Sequence, residues 1–385
     1  MVRTIAFIFL FCASVQASEP SLKWYGFVLP FVSLGSAAVE SFGQPNGSAV
    51  TAAGNPVVGG VARDDVRGTF QVAQSRVGLM AIPAPELEAR LELDFIDFAK
   101  ASPTTGANPR LRRAVLNWKP SEAWKFVFGQ DWDLISPLMP FTYNFVGHFF
   151  EAGDIGFMRH QFQVLKTHGA SETGIAVGLP QQNTSSADGA TELTVLPTLA
   201  LRQTWNAEGW SVGASALAAV VRASAASSTR ITSGALTVFG SAKSTTTEVR
   251  SEAYYGRNTA NLGMLGLSFC NAAACSDEVG FYVSGKKTVG PWGVFTSLGG
   301  AAVLDPSQAQ ASYNTTTNLL NSPSTGPGIE TNWTVHAGLD YQIAQSALVW
   351  AEASYWNTHH HLAAGATESA FRQAVLIQVG SQVTL

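Results

Sequence analysis

Charge is what this chain has least of: Asp, Glu, Lys and Arg together make up 13% of its 385 residues, about half the share of an ordinary soluble protein. A chain so poor in charge cannot cover a soluble surface in the usual way. Its net charge of −4 leaves no basic footprint, which excludes nucleic acid as an expected partner. Cysteine is scarce as well, with three residues in all, so disulfides cannot staple a chain of this length. Long apolar runs are missing after the first residues. No later stretch reaches the ~18 consecutive apolar residues of a spanning helix, yet the mean hydropathy is slightly positive at +0.12. The apolarity is present but dispersed.

The exception is the start. MVRTIAFIFLFCASVQA, residues 1–17, carries a basic Arg3, an apolar core from Ile5 to Phe11 and small side chains at Val15 and Ala17, the pattern of a cleavable secretory signal. A membrane anchor would need roughly twice that apolar length. Lipoprotein processing at Cys12 is disfavoured by Phe11 before it. The expected domains are therefore a signal peptide over 1–17 and one unit over 18–385. Removing the leader leaves Cys270 and Cys275, close together in an exported chain, and a local disulfide is expected.

What disperses the apolar residues is alternation. In ELEARLELDF, residues 86–95, Glu86, Glu88, Arg90, Glu92 and Asp94 fall on one strand face and Leu87, Ala89, Leu91, Leu93 and Phe95 on the other. In NWTVHAGLDYQIA, residues 332–344, Trp333, Val335, Ala337, Leu339, Tyr341 and Ile343 oppose Thr334, His336, Gly338, Asp340 and Gln342. At ~3.3 Å per residue and a tilt of ~40°, Trp333 and Tyr341 stand roughly 20 Å apart in height, the spacing of aromatic girdles on an outer-membrane barrel.

The same template predicts strands near 22–34, 66–81, 86–98, 110–118, 122–131, 158–167, 172–180, 192–205, 209–222, 231–242, 246–256, 279–287, 292–304, 330–343, 347–356 and 370–384. Tight turns at 83–85, 120–121, 206–209 and 290–291 alternate with long segments near 35–65, 132–157, 257–278, 305–329 and 357–369, as in barrels with short periplasmic turns and long external loops. The expected fold is all-β, a transmembrane antiparallel β-barrel of about sixteen strands. The last strand, AVLIQVGSQVTL, resembles the terminal signal read by barrel-assembly machinery, with Leu385 where an aromatic residue is usual.

Between residues 75 and 163 the segments SRVGL, ELEARLELDF, RLRRAVLNW, FGQDWD and MRHQFQ resemble porins of the DcaP-like group and, more loosely, general trimeric porins. The resemblance covers roughly the first half of the chain. It implies a homotrimeric outer-membrane diffusion pore for small polar solutes and ions, embedded in outer-membrane lipid, with its third external loop folded inward. The matching loop is WDLISPLMPFTYNFVGHFFEAGDIGFM, residues 132–158, too apolar to rest in water and suited either to the lumen or to contact with a neighbour. Asp131, Asp133, Glu151 and Asp154 would give it an acidic edge.

Arg76, Arg90, Arg110, Arg112, Arg159 and Arg202 lie in predicted strands, where each would cost ~2 to 4 kcal/mol on the lipid face at the midplane. They are expected to face the lumen opposite that acidic edge, forming the pore constriction, and RLRR leaves open whether Arg112 or Arg113 points inward. His359, His360 and His361 invite a metal reading, but three adjacent residues poorly converge on one ion; a solvated external loop with no metal is expected. GFYVSGKK, residues 280–287, fails as a phosphate loop because Lys287 stands where Ser or Thr belongs. The pairs Glu86 and Glu88, and Glu248 and Glu252, read as a solvated lumen wall rather than as acid/base pairs. No HExxH motif occurs, and no enzyme and no cofactor is expected; a structural or adhesion barrel is the alternative to a pore.

Overall fold

The computed structural model describes residues 21–36, 39, 65–95, 109–145, 149–179, 194–222, 230–262, 264–268, 270, 275–305, 313–314, 319–320, 329–360 and 371–385. Within these residues the chain closes into a barrel of sixteen antiparallel strands. Two are interrupted: β1 runs over Ser21–Val28 and Phe31–Ser36, and β2 over Val66–Gln71 and Arg76–Ala84. The others are β3 Leu87–Asp94, β4 Arg110–Ser121, β5 Trp124–Trp132, β6 Met158–His168, β7 Ser171–Gly178, β8 Thr194–Ala207, β9 Trp210–Arg222, β10 Arg230–Lys243, β11 Thr247–Arg257, β12 Asp277–Val289, β13 Trp292–Val303, β14 Ile329–Ala344, β15 Ala347–His360 and β16 Phe371–Thr384. Each matches one predicted segment, with ends displaced by a few residues. β15 runs four residues past its predicted end, to His360; beyond Asp94 of β3 the Phe95 N–H turns to the carbonyl of Ala73, and the predicted residues 96–98 lie outside the described residues.

Every strand pairs with its sequence neighbour, and β16 returns to β1 through Phe31↔Gly380 to Gly35↔Leu376. The breaks in β1 and β2 face each other. Pro30 has no N–H to give the ladder, and beside it the Leu29 N–H turns to the Ser75 hydroxyl at 3.0 Å, so the interruption leaves that donor satisfied.

Alternation along the strands sorts the two faces. On β16, Val375, Ile377 and Val379 are exposed on the outside, while Arg372, Ala374, Leu376 and Gln378 are buried inside. On β14, Trp333, Val335 and Leu339 point out and Thr334, His336 and Asp340 point in. The exterior is thus an apolar belt. Trp205, Trp210 and Trp292 mark its edge at the short turns, with Trp292 against Tyr341 at 4.6 Å between ring centres. Trp333 and Tyr355, 5.4 Å apart, mark the other edge. No described helix is long and apolar enough to cross a membrane.

A ladder with no open edge resists detergent until heat breaks it cooperatively. The folded protein is therefore expected to migrate differently on denaturing gels before and after boiling, and a single mobility at both temperatures would contradict a closed barrel.

Candidate pore constriction

Between β5 and β6 the chain leaves the sheet and enters the barrel. Its neck is closed by the Asp133 N–H donating to the Phe157 carbonyl at 2.9 Å. A loop of backbone placed inside a barrel must find partners for its amides, and the inner wall supplies them in order. The Ser215 hydroxyl of β9 donates to the Ile135 carbonyl at 2.5 Å, and Glu252 of β11 accepts from the Leu138 N–H at 2.7 Å. Ser284 of β12 accepts from the Phe141 N–H at 2.8 Å. Glu352 of β15 accepts from the Thr142 hydroxyl and the Tyr143 N–H at 2.8 and 2.9 Å. Asn144 then reaches Gln378 of β16 and Gln74 between the halves of β2. The outgoing limb thus follows the wall from β9 round to β2.

The return limb is held as closely. Phe149 packs on the His336 ring at 4.6 Å, and Asn332 of β14 donates to the Glu151 carbonyl at 3.2 Å. Gly153 adopts a φ of +122° and lies so near β12 that a Cβ there would fall 2.1 Å from the Phe281 carbonyl oxygen. Only glycine fits that approach.

The segment that follows β11 also turns inward. Leu265 gives its carbonyl to the Glu151 N–H at 2.7 Å, and Leu262 gives its carbonyl to Arg159 at 2.8 Å. A disulfide joins Cys270 to Cys275. Cys270 is buried in one cluster with Leu134, Ile135, Ile155, Leu262 and Met264. The local disulfide expected from sequence ties a segment packed against the root of the inward loop.

The carboxylates expected along the loop's edge lie elsewhere. Asp133, Glu151 and Asp154 are 3%, 3% and 4% exposed; they sit in the seam between loop and wall rather than on an acidic edge. The reason is that the loop's own amides and its packing partners claim them. Asp133 meets Arg159 at 3.5 Å and accepts from the Ile135 N–H, while burial pushes its carboxyl above the usual range against the pull of Arg159. Burial likewise pushes Asp154 up to about 7. Asp131 belongs to β5 and pairs with Arg113 at 2.6 Å. Half-exposed along the loop are Pro137, Leu138, Met139, Phe141, Thr142, Tyr143 and Phe145, all but Thr142 apolar or aromatic.

On the wall, Arg90 pairs with Glu88 at 2.9 Å, Arg110 with Asp94 at 2.7 Å, Arg112 with Glu92, and Arg202 with Glu172 at 2.9 Å. The RLRR ambiguity resolves through a bulge. Glu92 pairs with Arg113 and Leu93 with Leu111, so Arg112 is the extra residue and both arginines reach inward carboxylates while Leu111 faces out. Arg76 differs from these. Among the described residues no carboxylate lies within ion-pair distance of it, though Glu92 and Asp94 act on it at longer range, and its guanidinium lies 5.2 Å from the Phe27 ring and 4.9 Å from the Phe145 ring at the loop's tip.

Two further readings change. Glu252 is buried against the loop rather than part of a solvated wall, and Glu352, not singled out from sequence, carries the loop's tip. His359 and His360 end β15, His359 beside Glu330 at 3.1 Å, and His361 lies outside the described residues. Among the described residues no group of three His, Cys, Asp or Glu is placed to hold a metal.

No protein-family model and no curated protein matches the sequence. The fold does match. The outer membrane channel DcaP of Acinetobacter baumannii superimposes with a TM-score of 0.69 at 16% identity, over 95% of this chain and 97% of that one. An anion-selective porin from Comamonas acidovorans gives 0.60 at 11% identity over 95% and 100%. OmpTdeltaL8, a loop deletion mutant of an outer membrane protein of Vibrio cholerae, gives 0.60 at 14% identity over 96% and 100%. This is the porin barrel fold.

Gly153→Ala should weaken docking of the loop by ~1 to 3 kcal/mol through overpacking, read as faster protease cleavage within 133–157 in a barrel that keeps its heat-modifiable mobility. Gly169→Ala, at a turn with nothing within 4 Å of the added carbon, should leave cleavage unchanged.

Proposed function

We propose that the chain is an outer-membrane porin, exported by residues 1–17, that passes small polar solutes and ions by passive diffusion. The observation that carries this reading is an interior that keeps water beside charge. Behind an apolar exterior, the side chains of Arg90, Arg110, Glu88 and Glu172 remain 26%, 26%, 27% and 30% exposed on the inner wall. A groove of about 200 Å³ runs along Glu88, Arg90, Arg113, Asn117 and Lys125. The aperture in this reading lies between the aromatic edge of the inward loop and the wall of β2 to β8. Arg76 faces that gap, and Arg90, Arg110, Arg112, Arg113 and Arg202 line its far side, each with its own carboxylate. Asp131, Asp133, Glu151, Asp154 and Arg159 act by holding the loop and wall in place.

The neighbours named as a channel and as an anion-selective porin support transport over an anchoring or adhesive role or an enzymatic one. Assembly as a homotrimer in outer-membrane lipid belongs to the same reading.

In planar bilayers under a salt gradient the purified protein is expected to conduct, and removing residues 140–147 to raise its conductance. Arg76→Gln should shift the reversal potential toward cations, because it removes a positive charge that faces the aperture in this reading. Asp305→Asn, in an outer connection screened over about 8 to 10 Å, should do much less. A correctly folded barrel that never conducts sinks the proposal; unchanged conductance after the deletion removes the loop from the aperture.

A further inference from the structure

At the centre of the loop–wall seam one hydroxyl serves two acids. The Ser136 Oγ, on the loop's outgoing limb, lies 3.0 Å from Asp154 Oδ1 on the return limb and in a short contact with Glu252 Oε2 on β11. A serine hydroxyl has one proton to donate. If it donates to one carboxylate, the contact with the other closes only when that second carboxyl carries a proton and donates to the serine oxygen. The remaining partners fit a single charge shared across the group: the Gly156 N–H donates to Asp154 at 3.0 Å and the Leu138 N–H to Glu252 at 2.7 Å. Ser136, Asp154 and Glu252 are all buried, and among the described residues no cation pairs with either acid.

The surroundings offer no counter-charge. Asp133 and Arg159, on the loop and β6, neutralise one another. Arg250 of β11 is engaged by Glu248 at 2.6 Å and by the Met139 carbonyl. The buried phenols facing the group are Tyr254 of β11 and Tyr282 of β12. Glu151 on the return limb and Glu278 on β12 lie near Tyr254 and are acids themselves. A second negative charge at Ser136 would be unscreened and poorly solvated.

We propose that Asp154 and Glu252 share one proton through Ser136, and that losing this proton unlatches both limbs of the inward loop from the wall. The consequence for a channel rests on the reading of the barrel as a pore: the aperture becomes pH-dependent. The direction follows from linkage. The docked loop holds a proton on Asp154 up to about 7, whereas a loop released into water gives it up in the ordinary carboxylate range. Docking is therefore fully supported at acid pH and weakens as pH rises from about 4 to about 7.

Two readouts at about pH 5 and about pH 8.5, on either side of that window, test the latch in the full-length protein reconstituted in membranes. One is protease cleavage within 133–157, which needs no conduction, and the other is single-channel conductance with its open-channel noise. The wild type should be cleaved faster, and conduct more and more noisily, at the higher pH. Asp154→Asn, whose amide holds Ser136 without a titratable proton, should abolish the pH response in both readouts while keeping the heat-modifiable mobility; Glu252→Gln should do the same. A wild type with flat cleavage, or an Asp154→Asn variant that responds like the wild type, overturns the latch. pH-dependent cleavage in a barrel that conducts at neither pH would uphold the latch and sink the pore reading instead.

Discussion

A strand crossing lipid has no water to satisfy its amides, so every N–H and C=O must pair within the protein. Closing the sheet on itself is the solution this chain adopts, and most other features follow from it. Because the sheet closes from β1 to β16 and back, side chains alternate between its outer and inner faces wherever no bulge intervenes. That forces apolar residues such as Ile377 and Leu339 outward and polar ones such as Gln378 and Asp340 inward. The interruption at Pro30 lies where a neighbouring serine replaces the ladder. An unpaired amide facing lipid would cost several kcal/mol.

The same demand governs the loop inside. Residues 133–145 bring a run of amides against the inner wall, and the wall answers with acceptors for their N–H groups on β11, β12 and β15. Glu252 and Glu352 each accept from a loop N–H, so negative charge on the wall is spent on loop backbone rather than on the open lumen. The loop's own acids are drawn into the seam for a related reason. Asp133 and Asp154 accept from the amides of Ile135 and Gly156, two residues ahead of each, fixing the turns at which the limbs reverse.

The barrel was legible in the sequence because alternation is local. ELEARLELDF and NWTVHAGLDYQIA declare their faces without reference to any other part of the chain, and sixteen such segments separated by turn residues determine the count. The inward loop was legible from its apolar content and from resemblance. The fate of individual charges was not, since that depends on partners 18 to 210 residues away, as Asp154 to Ser136 and Thr142 to Glu352 show. Glu252 and Glu352 look like any other inward polar position on an alternating strand. The bulge at Arg112 escaped for another reason: one inserted residue inverts the alternation that locates every neighbour.

Pairing also decides what charge the lumen presents. A count of inward arginines suggests a strongly basic wall, yet Arg90, Arg110, Arg112, Arg113 and Arg202 each stand within ion-pair distance of a carboxylate. Such a row acts as a series of transverse dipoles, whose fields fall off faster than those of single charges. Arg76 is held instead by aromatic faces at Phe27 and Phe145, which fix a guanidinium without neutralising it. Since Phe145 belongs to the loop's tip, the position of that charge depends on whether the loop is docked. The proton at Ser136 and the charge at Arg76 are therefore coupled through one mobile element, and geometry and field change together when it moves.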